Sequence, residues 1–498
     1  MRVLLIDPPF KRFTGFVSFY FPVGLAYLAA SAREDGHEVA IFDVDAVVKG
    51  TDIDFSDEYG RLELYRQGLN NPSHTVWSEI THVLEEFRPD VVGVTAMTTK
   101  FGSVLRTVDL IKEYRRDIPV VVGGPHATLL PDQTLKSQSI DMVVRGEGEI
   151  TFRALLKALE RKGGLEGIEG VSFRMNGQIV HNVARPFAAD LDQISFPARD
   201  LLRDQKNYSS EDMGVVMASR GCPFNCSYCC HVWERKVRFR STDNIVEEIK
   251  RVRNRYGTTQ FEFKDDSFTV NKQRTLQLCE RLVAEKLGIN WGCSTRVNLH
   301  DEELVERMKA AGCNAVKVGI ETGSERILKE TDKGVTFEQM RRAAALLNKH
   351  GLFWSGYFMM GLSMETVEDI RQTYDFMKEL NPYYAGLGVY NPFPKTVLFD
   401  QGVRMGLLHE DVPLDHFFTR NPKDYYFVDP GRRVAAIDGA TFNALAGEMM
   451  GAFHKHNTQM RNIVRRGWAR RNAYKSDIRL LVSDVTKAIK WRLSGSTK

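Results

Sequence analysis

Short apolar segments alternate with helical segments in two separate runs, and this rhythm restricts the fold more than any other feature of the chain. In residues 1–160 the apolar runs end in polar or glycine-rich turns. The strands predicted here are 3–6, 38–42, 90–95, 119–122 and 142–144, with helices at 22–33, 75–87 and 103–114. Such alternation is typical of parallel sheets covered on both faces. We therefore predict a Rossmann-like α/β domain that binds a ligand beyond the carboxyl ends of its strands.

A second run of the same kind occupies residues 213–400. Its predicted strands are 215–218, 260–264, 290–294, 315–320, 353–359 and 385–390. Six strand–helix units are too few for an eight-fold barrel, so we expect a partial (β/α)6 barrel that is open along one side. Enzymes with barrel folds carry their chemistry at the carboxyl ends of the strands.

Two segments do not follow this rhythm. In residues 161–212 a hairpin is expected at 170–183, because Asn176-Gly177 suits a two-residue turn. The rest of that segment is predicted to be a linker that packs across the barrel. Residues 401–498 are predicted to form a mainly helical extension that ends in a basic helix. We interpret this helix as a cap with a solvated face, with contact to anionic lipid as the alternative.

Charge and hydropathy restrict the compartment and the partners. The net charge of +4 is small for 498 residues, so no nucleic-acid partner is expected. No apolar run approaches the roughly 18–20 residues of a membrane-spanning helix. The start of the chain lacks a secretory pattern, which predicts a cytoplasmic protein with reduced thiols. Membrane contact would then be peripheral, at the inner membrane face.

The sequence SRGCPFNCSYCC at 219–230 is the densest cysteine cluster and directly follows the first predicted barrel strand. The total of 7 cysteines is odd, which argues against a disulfide framework. Structural zinc sites usually need four ligands in paired spacings, and no matching pair follows. Three thiolates with the spacing of Cys222, Cys226 and Cys229 suit a [4Fe–4S] cluster that leaves one iron free.

The stretch SRGCPFNCSYC also resembles the signature of the radical S-adenosylmethionine (SAM) superfamily. The resemblance implies that Cys222, Cys226 and Cys229 hold three irons of the cluster, while the fourth iron binds SAM. It implies that an electron from a flavodoxin- or ferredoxin-type donor cleaves SAM and gives a 5′-deoxyadenosyl radical. Tyr228 is expected beside the bound cofactor. Cys230 lies outside the spacing, and we expect it to be a passenger or a nearby thiol that does not bind iron.

Residues at the ends of later strands match further positions of this superfamily. Asp265 or Asp266 is expected to receive the methionine ammonium group, since carboxylates suit an ammonium partner. Ser294 and Arg296 are expected to contact the ribose or the carboxylate of SAM. Glu321 resembles the first residue of the E-x-G-S element of the superfamily.

The chain also departs from its relatives at several positions. Ser363-Met364 stands where Pro-Gly is frequent, and Lys395 stands where glycine is common. Relatives with a second cluster need further cysteines before the barrel or in the extension. Residues 1–221 contain no cysteine, and none follows Cys313, so one cluster is predicted.

The motifs DPPF, FPVGLAYLAA, DVVGVTAMT, VVGGPHATLLP and VVRGEGE resemble the cobalamin-binding domain that many radical SAM enzymes carry. Cobalamin is therefore expected as a cofactor. The small side chains of Thr95, Gly123 and Gly124 would admit its nucleotide tail. The D-x-H-x-x-G motif that supplies a cobalt ligand in other proteins is absent. We therefore interpret His126 as a loop residue near the cofactor rather than the axial ligand, with Met97 as another neighbour.

The resemblance implies a cobalamin-dependent radical SAM methyltransferase that acts on an unactivated carbon. The alternative is an oxidative cyclase or a carbon–carbon bond-forming enzyme of the same architecture. A cobalamin- or cluster-bearing sensor without catalysis is the third hypothesis, and the strand-end carboxylates argue against it. The leading hypothesis predicts an enzyme with SAM, cobalamin and one [4Fe–4S] cluster.

Aromatic residues at 10–21 and 416–427 bear on the substrate. Aromatic side chains on loops at the ligand side favour a small apolar or ring-containing molecule, although packing between domains explains them equally well. Lipids such as isoprenoids, tetrapyrroles and antibiotic precursors are the expected substrate types. Together with the basic helix, these residues favour a membrane-derived lipid.

Overall fold

The computed structural model describes residues 1–15, 20–46, 58–233, 235–471, 474, 481–482, 485–486 and 489. Part of the predicted aromatic stretch, Phe16 and Phe19, lies outside the described residues, as do Leu480 and Trp491 of the predicted basic helix. Within the described part of the chain, no helix is both long enough and apolar enough to cross a membrane.

The first run of segments forms one sheet with helices on its faces. Its strands are β1 (Arg2–Asp7), β2 (Glu38–Asp43), β3 (Val91–Thr95), β4 (Val120–Gly123), β5 (Met142–Val144), β6 (Val171–Met175) and β7 (Gln178–His181). Its helices are α1 (Lys11–Thr14), α2 (Val23–Glu34), α3 (Glu58–Leu69), α4 (Thr75–Phe87), α5 (Phe101–Tyr114), α6 (Pro125–Leu129), α7 (Pro131–Leu135) and α8 (Gly148–Glu160). The strand order is β2-β1-β3-β4-β5-β6-β7, parallel as far as β5. The predicted parallel α/β sheet is confirmed.

The predicted hairpin is present and extends this sheet. Strands β6 and β7 pair antiparallel, and Asn176 and Gly177 between them have φ values of 50° and 80°. Both residues of such a turn need a positive φ, which asparagine and glycine adopt most readily. Beyond the hairpin, the linker contacts the barrel through Arg199, which donates to Glu248 over 2.7 Å.

The second run forms a six-stranded parallel sheet that curves into an open barrel. Its strands are β8 (Val215–Val216), β11 (Gln260–Phe263), β12 (Asn290–Thr295), β13 (Cys313–Glu321), β14 (Phe353–Met360) and β15 (Tyr384–Val389), while β9 (Ser219–Arg220) and β10 (Arg238–Phe239) form a separate ribbon. Its helices are α9 (Thr242–Tyr256), α10 (Lys272–Glu285), α11 (Glu302–Ala310), α12 (Glu325–Glu330), α13 (Phe337–Lys349) and α14 (Val367–Leu380). The order is β15-β14-β13-β12-β11-β8, and β8 and β15 are not paired in the described chain. The predicted partial barrel is confirmed.

Alternate residues of the barrel strands face opposite sides of this sheet. The buried set packs against the helices: Phe261, Phe263, Trp291, Cys293, Val316, Val318 and Trp354. The residues between them line the barrel lumen and are less buried, with burial alternating regularly along β11. Cys279, Cys293 and Cys313 are all buried, so they are not available as ligands at the strand ends.

The C-terminal extension covers both domains. It contains α15 (Val397–Arg404), α16 (His416–Thr419), α17 (Gly439–Thr458) and α18 (Met460–Ala469). The ring of Phe417 in α16 lies 4.9 Å from that of Phe101 in α5. A Cβ atom on Gly102 would lie only 2.4 Å from the carbonyl oxygen of Phe417, so this contact requires glycine. On the other side, Asn457 in α17 bonds both backbone groups of Ala385 on the open edge strand β15.

Candidate active site

The loop of residues 221–230, here called the cysteine loop, follows β9 and is held at its centre by main-chain contacts. The hydroxyl of Ser227 donates to the carbonyl of Glu330 over 2.8 Å, and its N–H donates to Thr331 O over 2.9 Å. Its carbonyl accepts from Leu398 N over 3.0 Å. The segments after β13 and β15 therefore fix the middle of the loop from two sides.

The three signature thiols lie within one another's electrostatic field. Burial, followed by the charges of Cys226 and Cys222, raises the pKa of Cys229 to about 12. Burial also raises the pKa of Cys222, and the charge of Cys226 adds to it. Thiolates are the ligands of iron–sulfur clusters, and the positive charge of the irons compensates this mutual repulsion. Three free, converging thiols therefore fit a cluster.

Arg296, predicted to contact SAM, lies against the cysteine loop. Its Nη1 is 3.3 Å from Cys226 Sγ, and its guanidinium carbon is 3.7 Å from the centroid of the Phe224 ring. Its Nη2 donates to the carbonyl of Lys333. Arg296 therefore connects Cys226 to Phe224 of the same loop and to the segment after β13.

Tyr228 and Glu321 meet around a lysine that the sequence analysis missed. The hydroxyl of Tyr228 donates to Glu321 Oε1 over 3.1 Å, and Lys333 Nζ donates to the same oxygen over 2.8 Å. The side chains of Lys333 and Glu321 are only 5% and 11% exposed. Burial, and then the charge of Glu321, raises the pKa of Tyr228 well above its usual value. Through Tyr228, these three side chains are part of the wall of the cysteine loop, and the ammonium group of Lys333 balances the charge of Glu321.

The two aspartates after β11 have different surroundings. Asp265 is 4% exposed and accepts hydrogen bonds from Ala218 N, over 3.1 Å, and from the hydroxyl of Ser219. Burial raises its pKa to about 6. Asp266 is exposed, and its charge raises the pKa of Cys229. Asp265 thus fixes the strand that leads into the cysteine loop, whereas Asp266 is accessible to an ammonium group.

The two turns that depart from relatives are ordered in different ways. The turn after β14, which contains Ser363, is held by Glu365, which accepts from Gly361 N over 2.5 Å and from Leu362 N over 2.9 Å. Lys395 has φ = 68°, in the left-handed region that favours glycine. The structure thereby explains why glycine is common at this position.

At the carboxyl edge of the first sheet, the ends of β3 and β4 approach each other closely. Gly124 has φ = 96°, and a Cβ there would lie 2.9 Å from Ala96 O and 3.0 Å from Thr95 Oγ1. At Gly123 a Cβ would have room, since the nearest atom, Val144 O, is 3.6 Å away. Gly124 therefore serves the contact between the two strands, and the predicted entry of the cofactor at Gly123 and Thr95 stays a prediction.

His126 lies in the short helix α6, not in a loop, and it is fully buried. Its ring stacks on Phe101 with a centroid distance of 3.8 Å, and Nδ1 is 3.1 Å from Thr98 Oγ1. Burial lowers its pKa to about 3, so the ring is neutral. Its Nε2 is buried without a hydrogen-bond partner in the described part of the chain, and whether the ring binds cobalt stays a prediction. Contact with the cofactor remains a prediction, as it does for Met97, which is 51% exposed.

Three carboxylates converge at the ends of β1 and β2. Asp7 forms an ion pair with Lys100, and Asp43 accepts from the hydroxyl of Tyr208 over 2.6 Å. Asp45 accepts from the first N–H groups of α1. Burial, and then the charges of Asp7 and Asp45, raises the pKa of Asp43 to about 7. The sequence analysis missed this group, although both strands end in aspartate.

Buried ion pairs connect the cysteine loop to the first domain. Arg220 in β9 donates to Glu147 over 2.8 Å and to Glu149 in α8 over 2.6 Å. Arg238 in β10 donates to the same Glu147 over 2.9 Å. The ribbon that flanks the cysteine loop is therefore bonded directly to the end of the first sheet.

Comparison with known proteins identifies both domains. A radical SAM superfamily model matches residues 216–377, and a B12 binding domain model matches residues 15–156. An uncharacterized methyltransferase of Pyrococcus horikoshii is 36% identical over 438 residues, which are 86% of this chain and 87% of that protein. The chain belongs to the cobalamin-binding radical SAM enzymes. As predicted, this radical SAM enzyme uses a [4Fe–4S] cluster, SAM and cobalamin.

Two further proteins match this radical SAM enzyme along most of its length. The anaerobic magnesium-protoporphyrin IX monomethyl ester cyclase of Rubrivivax gelatinosus is 30% identical, over 88% of this chain and 74% of that protein. The solved structure of TsrM, a radical SAM methyltransferase from Kitasatospora setae with cobalamin and a [4Fe–4S] cluster bound, has a TM-score of 0.66 at 18% identity. The alignment covers 91% of this chain and 88% of TsrM, so the fold is shared along nearly the whole length.

Proposed function

We propose that this enzyme transfers a methyl group from SAM, by way of cobalamin, to an unactivated carbon of a small organic substrate. The observation that carries the proposal is the 36% identity, over 86% of the chain, to a methyltransferase. The ion pairs of Arg220 support it, because they bond the cluster-bearing loop to the cobalamin-binding domain. When bound, the cofactors supply the methyl group and a radical that removes hydrogen from the substrate.

Residues around the cysteine loop prepare the site for these cofactors. Cys222, Cys226 and Cys229 would hold the cluster, and Arg296 contacts the sulfur of Cys226. Asp266, which is exposed beside the thiols, would accept the ammonium group of SAM. Phe224, which stacks under Arg296, keeps water from one side of the loop.

The electron donor is proposed to be a flavodoxin- or ferredoxin-type protein. Cys229 is exposed, whereas Cys222 and Cys226 are half-buried. The cluster would therefore be accessible from the side of Cys229. A donor protein that docks on that side would bring its redox centre close to the cluster, which favours electron transfer.

A hydrophobic or ring-containing substrate is supported by two tyrosines at the barrel. Tyr357 in β14 is 41% exposed on the lumen side, and Tyr20 reaches the lumen from the first domain. Flat aromatic side chains form the walls that ring systems and hydrocarbon chains bind. A lipid, a tetrapyrrole or an antibiotic precursor fits this description.

A peripheral contact with the inner membrane face is proposed for α18. Met460, Val464 and Trp468 are spaced four residues apart and are exposed. Residues with this spacing share one helix face. Arginine residues flank that face, as in helices that lie on anionic lipid. Flotation with anionic and neutral vesicles, using wild type and Trp468→Ser, tests this contact, and equal recovery of both proteins with the anionic vesicles would contradict it.

The test of methyl transfer uses anaerobically reconstituted protein with hydroxocobalamin, SAM and a reductant. The substrate comes from metabolites that accumulate in cells lacking the gene. We expect S-adenosylhomocysteine, 5′-deoxyadenosine and a product heavier by one methyl group. Formation of 5′-deoxyadenosine alone, with no methylated product, would contradict methyl transfer.

The second candidate is oxidative cyclisation or formation of a carbon–carbon bond. It is favoured by the 30% identity to the anaerobic cyclase. The same incubation distinguishes the two, because ring closure or carbon–carbon bond formation adds no methyl group from SAM to the product and forms no S-adenosylhomocysteine. A sensor without catalysis would give neither product and no cleavage of SAM.

A further inference from the structure

Five residues of successive strands form one layer across the barrel lumen. Ser294 of β12 pairs with Lys317 of β13, Lys317 pairs with Ser355 of β14, and Ser355 pairs with Tyr384 of β15. Lys264 continues β11 at the same level, since Phe263 pairs with Cys293 and Lys264 N donates to Val216 O over 2.9 Å. Two lysines therefore lie in one layer of the lumen, which we call the lysine layer.

The lysine layer has more positive than negative charge. Lys317 forms a short ion pair with Glu262, and Lys264 Nζ lies 3.9 Å from the same oxygen, Oε1. Among the described residues, the charges that act on Lys264 are those of Lys317, Glu262 and Lys11, and only Glu262 is negative. One carboxylate is thus shared between two nearby ammonium groups.

This arrangement disfavours the charged form of Lys264. Its side chain is 36% exposed, and Nζ lies 4.0 Å from the centroid of the Tyr20 ring. Burial, and then the charge of Lys317, lowers the pKa of Lys264 to about 8. An added negative charge beside Nζ would relieve both effects.

The side chains of the lysine layer are accessible from the lumen. Tyr357 is 41% exposed, and the side chain of Lys264 is 36% exposed. Three glycines face this layer, and a Cβ on each would lie within 3 Å of a lumen side chain: Gly292 against Glu262, Gly319 against Glu321, and Gly386 against Tyr357. The glycines therefore let these lumen side chains pack closely against the strands.

The position of the layer relates it to the chemistry. Arg296, which contacts Cys226, lies two residues beyond Ser294 of the lysine layer. Two residues of a strand span about 7 Å. A substrate whose charged group is bound to Lys264 would therefore lie about 7 Å from the level at which Arg296 contacts the cysteine loop.

We propose that the lysine layer binds an oxyanion of the substrate, either a carboxylate or a phosphate-type group, through Lys264, which shares the carboxylate of Glu262 with Lys317. The ligand is thus an amphipathic acid, with its organic body between Tyr20 and Tyr357. This inference rests on the proposed function, because the ligand is the molecule that is methylated.

The test measures binding and does not depend on turnover. Three probes of one ring system are compared by anaerobic equilibrium dialysis against protein reconstituted with cluster, cobalamin and SAM: 1-naphthoate, 1-naphthyl phosphate and neutral 1-naphthylmethanol. We expect the better of the two anions to bind at least about tenfold more tightly than the neutral probe, as a charged hydrogen bond provides. Which anion binds more tightly distinguishes carboxylate from phosphate.

Matched variants assign the preference to the layer. Lys264→Gln is expected to lower the affinity for the anionic probe about tenfold and to leave the affinity for the neutral probe unchanged. Lys264→Arg should keep the preference for the anion. Glu262→Gln removes the competing carboxylate and should raise the affinity for the anionic probe. A misfolded variant would not bind the probe more tightly. Lys329→Gln, whose side chain is 77% exposed on α12, is the control and should change neither affinity.

Equal affinity for the charged and neutral probes, or an anion preference that persists in Lys264→Gln, would overturn the inference. Such a result leaves methyl transfer intact if the methylated product still forms. Conversely, anion binding at Lys264 without a methylated product would refute the proposed reaction and not this site.

Discussion

Arg220 Nη2 donates to Glu149 Oε1 over 2.6 Å, and the two side chains are only 5% and 11% exposed. The bond joins the strand before the cysteine loop to α8 of the first domain. A buried ion pair is specific in geometry, because removing one partner leaves an uncompensated charge. The pair therefore fixes how the cluster-bearing loop meets the cobalamin-binding domain.

Removing the carboxylates of this interface should destabilise the protein and separate its two reactions. We expect Glu147→Gln to lower the free energy of unfolding by about 2–4 kcal/mol, and Glu149→Gln by less, because Glu147 serves both Arg220 and Arg238. Urea denaturation measures this effect. In assays of both variants, methylated product should decline more than 5′-deoxyadenosine, and Glu166→Gln, an exposed change, should alter neither. Equal loss of both products would contradict a positioning role.

Cys229 and Cys230 should differ sharply despite being neighbours. Cys229→Ala should abolish the cluster and its visible absorbance, because three thiolates hold it. Cys230→Ala should retain both, since Cys230 lies outside the spacing of the three cluster ligands. Iron and sulfide analysis of anaerobically reconstituted protein measures this. About eight irons per chain, in place of about four, would contradict the single cluster.

Lys333 should contribute strongly to the stability of the protein, although it belongs to none of the sequence motifs. Lys333→Met leaves the Glu321 carboxylate buried without its cation, which should lower the free energy of unfolding by about 3–5 kcal/mol. The double variant Lys333→Met/Glu321→Gln should recover most of this loss, because no buried charge remains. Lys329→Met, on the exposed face of α12, is the control. A double variant no more stable than the single one would show that the ion pair is not the cause.

Asp43 should make stability depend on pH. Its pKa is about 7 in the folded protein, against an ordinary value of 3.8, so the folded state binds this proton more tightly. The resulting stabilisation is complete below about pH 4 and is lost as the pH rises through 7. Between pH 4 and 8 the midpoint temperature of thermal unfolding should therefore fall less steeply with pH in Asp43→Asn than in wild type. Asp117→Asn, whose side chain is 83% exposed, should keep the wild-type slope, and an unchanged slope in Asp43→Asn would refute the assignment.

Elements that depend on local chemistry could be predicted from the sequence. Helix α9 begins and ends at local signals that the sequence shows, because Ser241 caps its start and Gly257, with φ = 69°, ends it. The hairpin follows from Asn176-Gly177 in the same way. Helix α3 was missed because its apolar residues have no clear helical period, and Tyr65 is buried only by packing against other helices.

The candidate site shows the same division. The cysteine triad is a local pattern, and the structure brings its thiols together as its spacing predicts. Lys333 could not be found, because Tyr228 lies in the cysteine loop and Glu321 ends β13, so their contact with Lys333 depends on the folded barrel. The pairs of Arg220 and Arg238 with Glu147 likewise connect residues far apart in the sequence. A single sequence contains no signal for such pairs.

The contact of Phe417 with Phe101 and Gly102 has a consequence for folding on the ribosome. The core of the first domain includes Phe417, Tyr425 and Phe427, which are synthesised only after the whole barrel. Domains generally fold in the order of their synthesis, and distant contacts slow that process. The first domain to emerge is thus the last to be completed, and its helices remain open to chaperones until the chain has returned to cover them.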